Sequence, residues 1–100
     1  MVRHIILWKL KDGFSAEERE RIKTGVKTGL EGLKGVIPGL ERILVRTQGL
    51  ESSSADLMLD SAFTDAAALK AYSVHPAHVA VANANVRPFM QTRLCLDFEE

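Results

Sequence analysis

The segment 2–10, VRHIILWKL, constrains the fold most strongly, because it is rich in β-branched and aromatic residues and is followed by a turn signal at Asp12-Gly13. Strand alternation places two sets of side chains on opposite sides: Val2, His4, Ile6, Trp8 and Leu10 on one, and Arg3, Ile5, Leu7 and Lys9 on the other. Both sets are apolar in the middle, so both faces need a cover. We therefore predict a central strand.

A helix is predicted to begin after this strand, at Ser15, where Ser15 and Glu18 have the spacing of a capping box. The predicted buried stripe consists of Ile22, Val26, Leu30, Leu33 and Ile37, and Pro38-Gly39 ends the element. Gly25, Gly29 and Gly32 lie beside that stripe, and two interpretations stay open. They either permit a close approach of another backbone or a ligand, or are tolerated in a weak helix.

The remaining segments complete a β-α-β-β-α-β order. We predict strands at 40–47, 56–64 and 91–98, a short helix at 65–72, and a helix that begins at Pro76 with the stripe Val79, Ala82, Val86 and Phe89. This order is the ferredoxin-like plan, an α+β fold in which helices cover one face of an antiparallel sheet. Residues 1–100 are predicted to form one domain.

The faces of the sheet predict a partner. We expect the helix side to carry Leu57, Leu59, Phe63, Leu94, Leu96 and Phe98, and the other side to carry Ile5, Leu7, Met58 and Cys95 among the charged residues Asp60, Arg93 and Asp97. The chain has no further element to cover that second face. A second copy would cover it, with two sheets packed face to face in a dimeric α/β barrel. We therefore predict a homodimer with Cys95 at its interface.

Composition excludes several classes of protein. Thirteen basic residues balance thirteen acidic ones, whereas nucleic-acid or anionic-membrane binding needs a basic excess. A single cysteine excludes an intramolecular disulfide and a cysteine-based zinc site. No segment is typical of a signal peptide or of a membrane span. We expect a soluble, cytoplasmic protein without nucleic-acid or membrane partners.

Candidate chemistry is concentrated in the segment 72–78, YSVHPAH. The chain has no phosphate-binding loop, nucleophile elbow or dinucleotide fingerprint, so the expected chemistry is proton transfer without a cofactor. His78 would lie in the first turn of the last helix, where the helix dipole favours a neutral imidazole that can act as a base. Tyr72 could donate a hydrogen bond to a carbonyl or enolate. The alternative is that His78 only caps or packs the helix start.

A metal site is not expected in this segment. His75 precedes a proline and is therefore expected to be extended and to hold the turn. The proline break separates His75 from His78, and no third ligand is evident. His4 would be a buried core histidine or, beside His78, a pocket wall.

These motifs resemble the stress-responsive A/B barrel (Dabb) family. The matching pieces are the opening VRHIILWK, the segment 36–40 (VIPGL), the segment 71–79 (AYSVHPAHV), and the closing CLDF. They cover nearly the whole chain in the right order, and Tyr-x-x-His-Pro-x-His is the most specific. The resemblance implies a ferredoxin-like protomer that dimerises into an α+β barrel.

The resemblance also implies candidate roles. One branch of the family, the plant olivetolic acid cyclase, closes a polyketide with a tyrosine and a histidine that match Tyr72 and His78. Transferred here, His78 is the general base and Tyr72 the hydrogen-bond donor. The expected substrate-binding residues are His4, Ile6, Trp8, Leu59, Ser61 and His75.

Three hypotheses follow from this resemblance. The first is a dimer that binds a small apolar, polyketide-like or aromatic molecule, with cofactor-free cyclisation or isomerisation as its expected activity. The second is a non-catalytic stress-response or structural dimer. The third is a cofactor-independent monooxygenase-like enzyme on the same fold.

Overall fold

Four strands form a single antiparallel sheet in the computed structural model, which describes all residues, 1–100. The strands are β1 (Val2–Leu10), β2 (Leu40–Arg46), β3 (Leu57–Phe63) and β4 (Met90–Glu99), and their order in the sheet is β2-β3-β1-β4. The helices are α1 (Ala16–Glu31), α2 (Ala66–Val74) and α3 (Pro76–Val81). The predicted ferredoxin-like α+β fold is confirmed, and β1 lies between β3 and β4 as a central strand.

Helix α1 begins as predicted and ends earlier than predicted. The Ser15 side chain accepts a hydrogen bond from the Glu18 amide, and the Glu18 carboxylate accepts one from the Ser15 amide, which completes the capping box. The helix stops at Glu31, not near Ile37, because Gly32 caps it and Gly35 has a φ of 85°, which a helix cannot accommodate. Ile37 is nevertheless buried, in the turns that lead to β2.

The two later helices are separated by His75. Asp65 caps α2 by accepting a hydrogen bond from the Ala68 amide, and α2 continues to Val74, two residues beyond the prediction. His75 is extended and Pro76 opens α3, as predicted. Helix α3 does not continue regularly: it passes into a π-helical turn, Ala82–Val86, and a 3-10 turn, Arg87–Phe89.

The prediction for the faces of β4 is wrong. Leu94 pairs with Leu7 and Leu96 pairs with Ile5 across the β1–β4 ladder. Directly paired residues of antiparallel strands project to the same face, so Leu94, Leu96 and Phe98 lie on the open face and Arg93, Cys95 and Asp97 on the helix side. Alternation within β4 cannot decide this, because a one-residue change of register inverts both faces.

The hydrophobic core lies between the helices and the sheet. It is formed by alternate residues of β1 and β3 and by the stripe of α1, and Val26 and Phe63 have no exposed surface. None of the helices combines the length and the apolar character that crossing a membrane requires. The open face of the sheet, in contrast, leaves Leu94 and Leu96 each 63% exposed.

Candidate functional site

A partly open cavity of about 690 Å³ lies between the helices and the strands β1 and β4. This volume is within the range of small-molecule pockets in proteins. Apolar side chains form much of its wall: Ile6, Trp8, Leu30, Leu59, Leu69, Ala82, Val86 and Met90. The π-helical turn contributes two of these, Ala82 and Val86. Polar side chains reach the cavity from α2, α3 and β4.

Tyr72 and His78 meet in the wall of this cavity. Their ring centroids are 4.1 Å apart and the ring planes are inclined by 37°. In one continuous helix, two residues six positions apart would point about 120° away from each other. The extended conformation of His75 ends α2 and redirects the chain into α3, so that both rings face the same cavity.

Two polar atoms of this pair have no partner. The Tyr72 hydroxyl and Nδ1 of His78 are both buried, and neither forms a hydrogen bond within the chain. Most buried polar groups in proteins are hydrogen-bonded, and an unpaired one costs about 1–3 kcal/mol. Because Tyr72 and His78 both line the cavity, these two unpaired polar groups lie together just beneath its surface.

Burial favours the neutral form of both groups. It lowers the pKa of His78 below 6.5; the Ser73 backbone opposes this shift, and the charges of Arg87, His4 and Arg93 reinforce it. Burial also raises the pKa of Tyr72 above its ordinary value of 10.0, with Arg93 acting in the opposite direction. At neutral pH the site therefore presents a neutral imidazole beside a protonated phenol, which are a base and a hydrogen-bond donor.

His4 stands behind this pair on β1. Its ring centroid lies 6.1 Å from that of Tyr72, and only 7% of the residue is exposed. Its Nδ1 pairs with the carboxylate of Asp97 on β4, and its carbonyl accepts a hydrogen bond of 2.8 Å from the Ser61 hydroxyl. His4 is thus held in place by both neighbouring strands.

The cavity brings together six of the eight predicted site residues: His4, Ile6, Trp8, Leu59, Tyr72 and His78. Ser61 and His75 do not line it. The Ser61 hydroxyl donates a hydrogen bond to the carbonyl of His4. Nδ1 of His75 accepts a hydrogen bond of 3.1 Å from the Ala77 amide and thereby caps α3. His75 therefore holds the turn, as its position before proline predicts.

Three residues of β4 that the sequence did not predict to belong to the site also line the cavity: Arg93, Cys95 and Asp97. The predicted location of Cys95, at a dimer interface, is wrong, because the β4 register turns its side chain toward the cavity. One signal could have revealed Asp97. His4 is the only ionisable residue on the apolar side of β1, and a buried histidine needs a polar partner on a neighbouring strand.

The same cluster contains the donor atoms that could hold a metal. Nδ1 of His4, Sγ of Cys95 and a carboxylate oxygen of Asp97 lie within 4.8 Å of one another, and these are ligand types that zinc accepts. The cluster is already bonded internally, since Sγ of Cys95 lies 3.4 Å from Oδ1 of Asp97. Burial, reinforced by Asp97, raises the pKa of the Cys95 thiol, so the thiol form prevails at neutral pH.

Comparison with known proteins agrees with this architecture. Residues 2–100 match the model of the Stress responsive A/B Barrel Domain (Dabb). An uncharacterised protein of Streptomyces coelicolor is 38% identical over 81 residues, which are 80% of this chain and 81% of that protein.

The solved structures that share the fold include two dimeric proteins. A dimeric ferredoxin-like protein of unknown function from Bacteroides fragilis has a TM-score of 0.92 and 29% identity, and the match covers 99% of this chain and 95% of that one. A dimeric ferredoxin-like protein from Thermobifida fusca has a TM-score of 0.76 and 24% identity, and the match covers 97% and 88%.

Proposed function

We propose that this chain, which belongs to the stress-responsive A/B barrel (Dabb) family, is a homodimer that binds a small apolar ligand in the cavity between its helices and its sheet. Within this cavity, His78 acts as a general base and Tyr72 as a hydrogen-bond donor in a cofactor-free cyclisation or isomerisation. The observation that carries this function is the pair of buried, unpartnered polar atoms, the Tyr72 hydroxyl and Nδ1 of His78, in the cavity wall.

The chemistry follows from the protonation states. A neutral His78 accepts a proton from a carbon next to a carbonyl group of the ligand. The Tyr72 hydroxyl donates a hydrogen bond to the carbonyl oxygen, on which negative charge accumulates. In an isomerisation the imidazolium then returns the proton to a different carbon. In a cyclisation the enolate carbon attacks a second carbonyl, and the imidazolium protonates the resulting alkoxide.

The open face of the sheet supports the dimer. Leu7, Leu94 and Leu96 are exposed there, with Ile5 and Phe98 beside them. Contiguous apolar surface of this kind is typical of protein–protein interfaces. Two sheets packed face to face would cover it across a two-fold axis, and two relatives of the same fold are described as dimeric.

A second candidate is a non-catalytic structural dimer, which the packing of Tyr72 favours. Tyr72 is only 1% exposed and belongs to the main hydrophobic core. Its ring also lies 4.9 Å from that of Phe63. In this alternative the Tyr72–His78 contact stabilises the junction of α2 and α3 without any reaction.

One variant series separates these two candidates. A collection of small aromatic and polyketide-like compounds is screened against the purified protein by thermal shift, and compounds that bind are titrated by calorimetry. We expect His78→Ala to keep the fold and abolish binding of the compounds found with the wild type. The control is His75→Asn, which changes a neighbouring histidine outside the cavity and retains a capping side chain.

The opposite result would favour the structural dimer. In that case His78→Ala would lower the melting temperature markedly, and no compound would bind the wild-type protein. Binding that is equal in the wild type and in His78→Ala would remove His78 from the proposed site.

A further inference from the structure

The polar part of the cavity wall is rich in positive charge. Three basic residues from three different elements line it, Lys70 of α2, Arg87 of the 3-10 turn and Arg93 of β4. The one carboxylate in the wall belongs to Asp97, and it already pairs with His4. The apolar surface of the cavity is therefore combined with an excess of cationic side chains.

Of the two guanidinium groups in this wall, that of Arg93 is the less engaged. It forms no ion pair, whereas Arg3, Arg19, Lys27 and Arg42 each pair with a carboxylate elsewhere in the molecule. Arg87, in comparison, donates a hydrogen bond of 2.6 Å to the amide oxygen of Asn83. Arg93 thus keeps guanidinium donors free at the cavity.

The position of Arg93 places its charge near the candidate catalytic pair. It is paired with Trp8 across the β1–β4 ladder, so its side chain leaves the sheet on the helix side. Its positive charge contributes to lowering the pKa values of Tyr72, His78 and Cys95, although burial raises those of Tyr72 and Cys95 by more. Arg93, Tyr72 and His78 line the same cavity, so a group bound by Arg93 would share that cavity with the Tyr72–His78 pair.

Building on the proposed ligand cavity, we propose that its ligand is an apolar molecule that carries a carboxylate, and that the guanidinium of Arg93 binds this carboxylate. The apolar body would lie against Ile6, Trp8 and Leu59. Guanidinium and carboxylate match in geometry, since two parallel N–H groups can donate to the two oxygens. Arg93 therefore determines the class of substrate and its orientation, and His78 and Tyr72 face the atoms next to the acid group.

A matched pair of probes tests this assignment. 4-Butylbenzoate and 4-butylbenzamide share one apolar body, and only the benzoate is charged at pH 7.5. We expect calorimetric titration of the wild-type protein to show about tenfold tighter binding of the benzoate, since a charge-assisted hydrogen bond accounts for at least that factor.

Variants of Arg93 test whether this residue causes the preference for the benzoate over the benzamide. In Arg93→Gln the two probes should bind within about twofold of each other, and Arg93→Lys should retain part of the preference for the benzoate. Arg93 is exposed and forms no ion pair, so both variants are expected to fold, which circular dichroism checks. Lys34→Gln removes an exposed charge outside the cavity and should behave as the wild type.

Each contrary outcome overturns a different part of the proposal. Equal binding of the two probes by the wild type overturns the carboxylate preference and leaves the apolar cavity intact. A preference that persists in Arg93→Gln overturns the assignment to Arg93. If neither probe binds the wild type at millimolar concentration, the carboxylate site and the proposed ligand-binding function both fail.

Discussion

The imidazole of His4 pairs with the carboxylate of Asp97, 93 residues further along the chain, and this pairing follows from the register of β1 against β4. The register that turns Asp97 toward the helices turns Leu96 toward the open face. The register of β4 against β1 thus places polar side chains in the cavity and apolar side chains on the face proposed for dimerisation.

Dimerisation through the open face predicts that Leu96→Glu dissociates the protein into folded monomers. A glutamate at this position would be buried and unpaired between the two sheets, and we expect the dimer dissociation constant to rise by at least about a hundredfold. Analytical ultracentrifugation at micromolar concentration measures this. The control is Leu50→Glu, which alters a leucine that is 81% exposed and lies outside the sheet. A Leu96→Glu variant that remains a dimer would place the interface elsewhere.

Tyr72→Phe separates stability from function. Because the Tyr72 hydroxyl is buried without a partner, its removal should raise the free energy of unfolding by about 1 kcal/mol, or about 4–8 °C in melting temperature. If Tyr72 stabilises an enolate, the same change should lower the turnover of a substrate by about 10²-fold or more. Urea unfolding and the rate assay check the two effects. A clear loss of stability in Tyr72→Phe would show that the hydroxyl has a partner within the protein.

The protonation of His78 predicts a pH dependence of stability. Its pKa in the folded protein lies below 6.5, so the unfolded chain binds the proton first as the pH falls. The stabilisation linked to neutral His78 is therefore complete above pH 6.5 and is lost as the pH falls through the folded pKa. We expect the free energy of unfolding of the wild type minus that of His78→Gln to decrease between pH 7.5 and pH 5. Urea unfolding measures it, and a constant or growing difference would contradict the prediction.

Two glycines of α1 should respond to alanine in opposite ways. A Cβ at Gly25 meets no atom within 4 Å, whereas a Cβ at Gly29 would lie 2.7 Å from Nδ2 of Asn85 and 2.8 Å from Cγ1 of Val81. Asn85 cannot move away freely, because it donates a hydrogen bond to the carbonyl of Gly25. Gly25→Ala should stabilise the protein by about 0.5–1 kcal/mol, and Gly29→Ala should destabilise it by about 1–3 kcal/mol. Thermal unfolding distinguishes them, and equal effects would contradict the close packing at Gly29.

Glu31 connects the end of α1 to the edge strand β2. Its carboxylate accepts hydrogen bonds of 2.7 Å from Lys27 and 2.9 Å from the Val45 amide. Burial disfavours the charged form, but these two bonds outweigh it and keep the pKa of Glu31 below 4.5. Glu31→Ala should therefore cost about 1–3 kcal/mol of stability at pH 7.

The loss caused by Glu31→Ala should diminish in acid. The stabilisation linked to the charged carboxylate is present above pH 4.5 and is lost as the pH falls through the folded pKa. Urea unfolding at pH 7 and pH 3 measures the change. Glu20→Ala, at an exposed position of the same helix, is the control and should change stability by less than about 0.5 kcal/mol at either pH. An equal loss at both pH values would show that the charge of Glu31 is not involved.

The two interpretations of the α1 glycines show where sequence reasoning reaches its limit. The spacing alone could not separate close packing from a tolerated weak helix. The structure assigns close packing to Gly29 and open space to Gly25, because the side chains of Asn85 and Val81 lie where a Cβ of Gly29 would project and no atom lies there at Gly25.

The sequence by itself determined the order of the elements, the capping box at Ser15, the turn at His75-Pro76 and the central position of β1. The first three features depend on neighbouring residues, whose conformational preferences and hydrogen bonds act within a few positions of the chain. The central position of β1 is visible in the sequence because both faces of this strand are apolar in the middle. Only the tertiary structure decided which face of β4 is covered, and with it the positions of Arg93, Cys95 and Asp97. A strand alternates with a period of two whichever way it faces, so the choice is made only when its hydrogen bonds to β1 set the register.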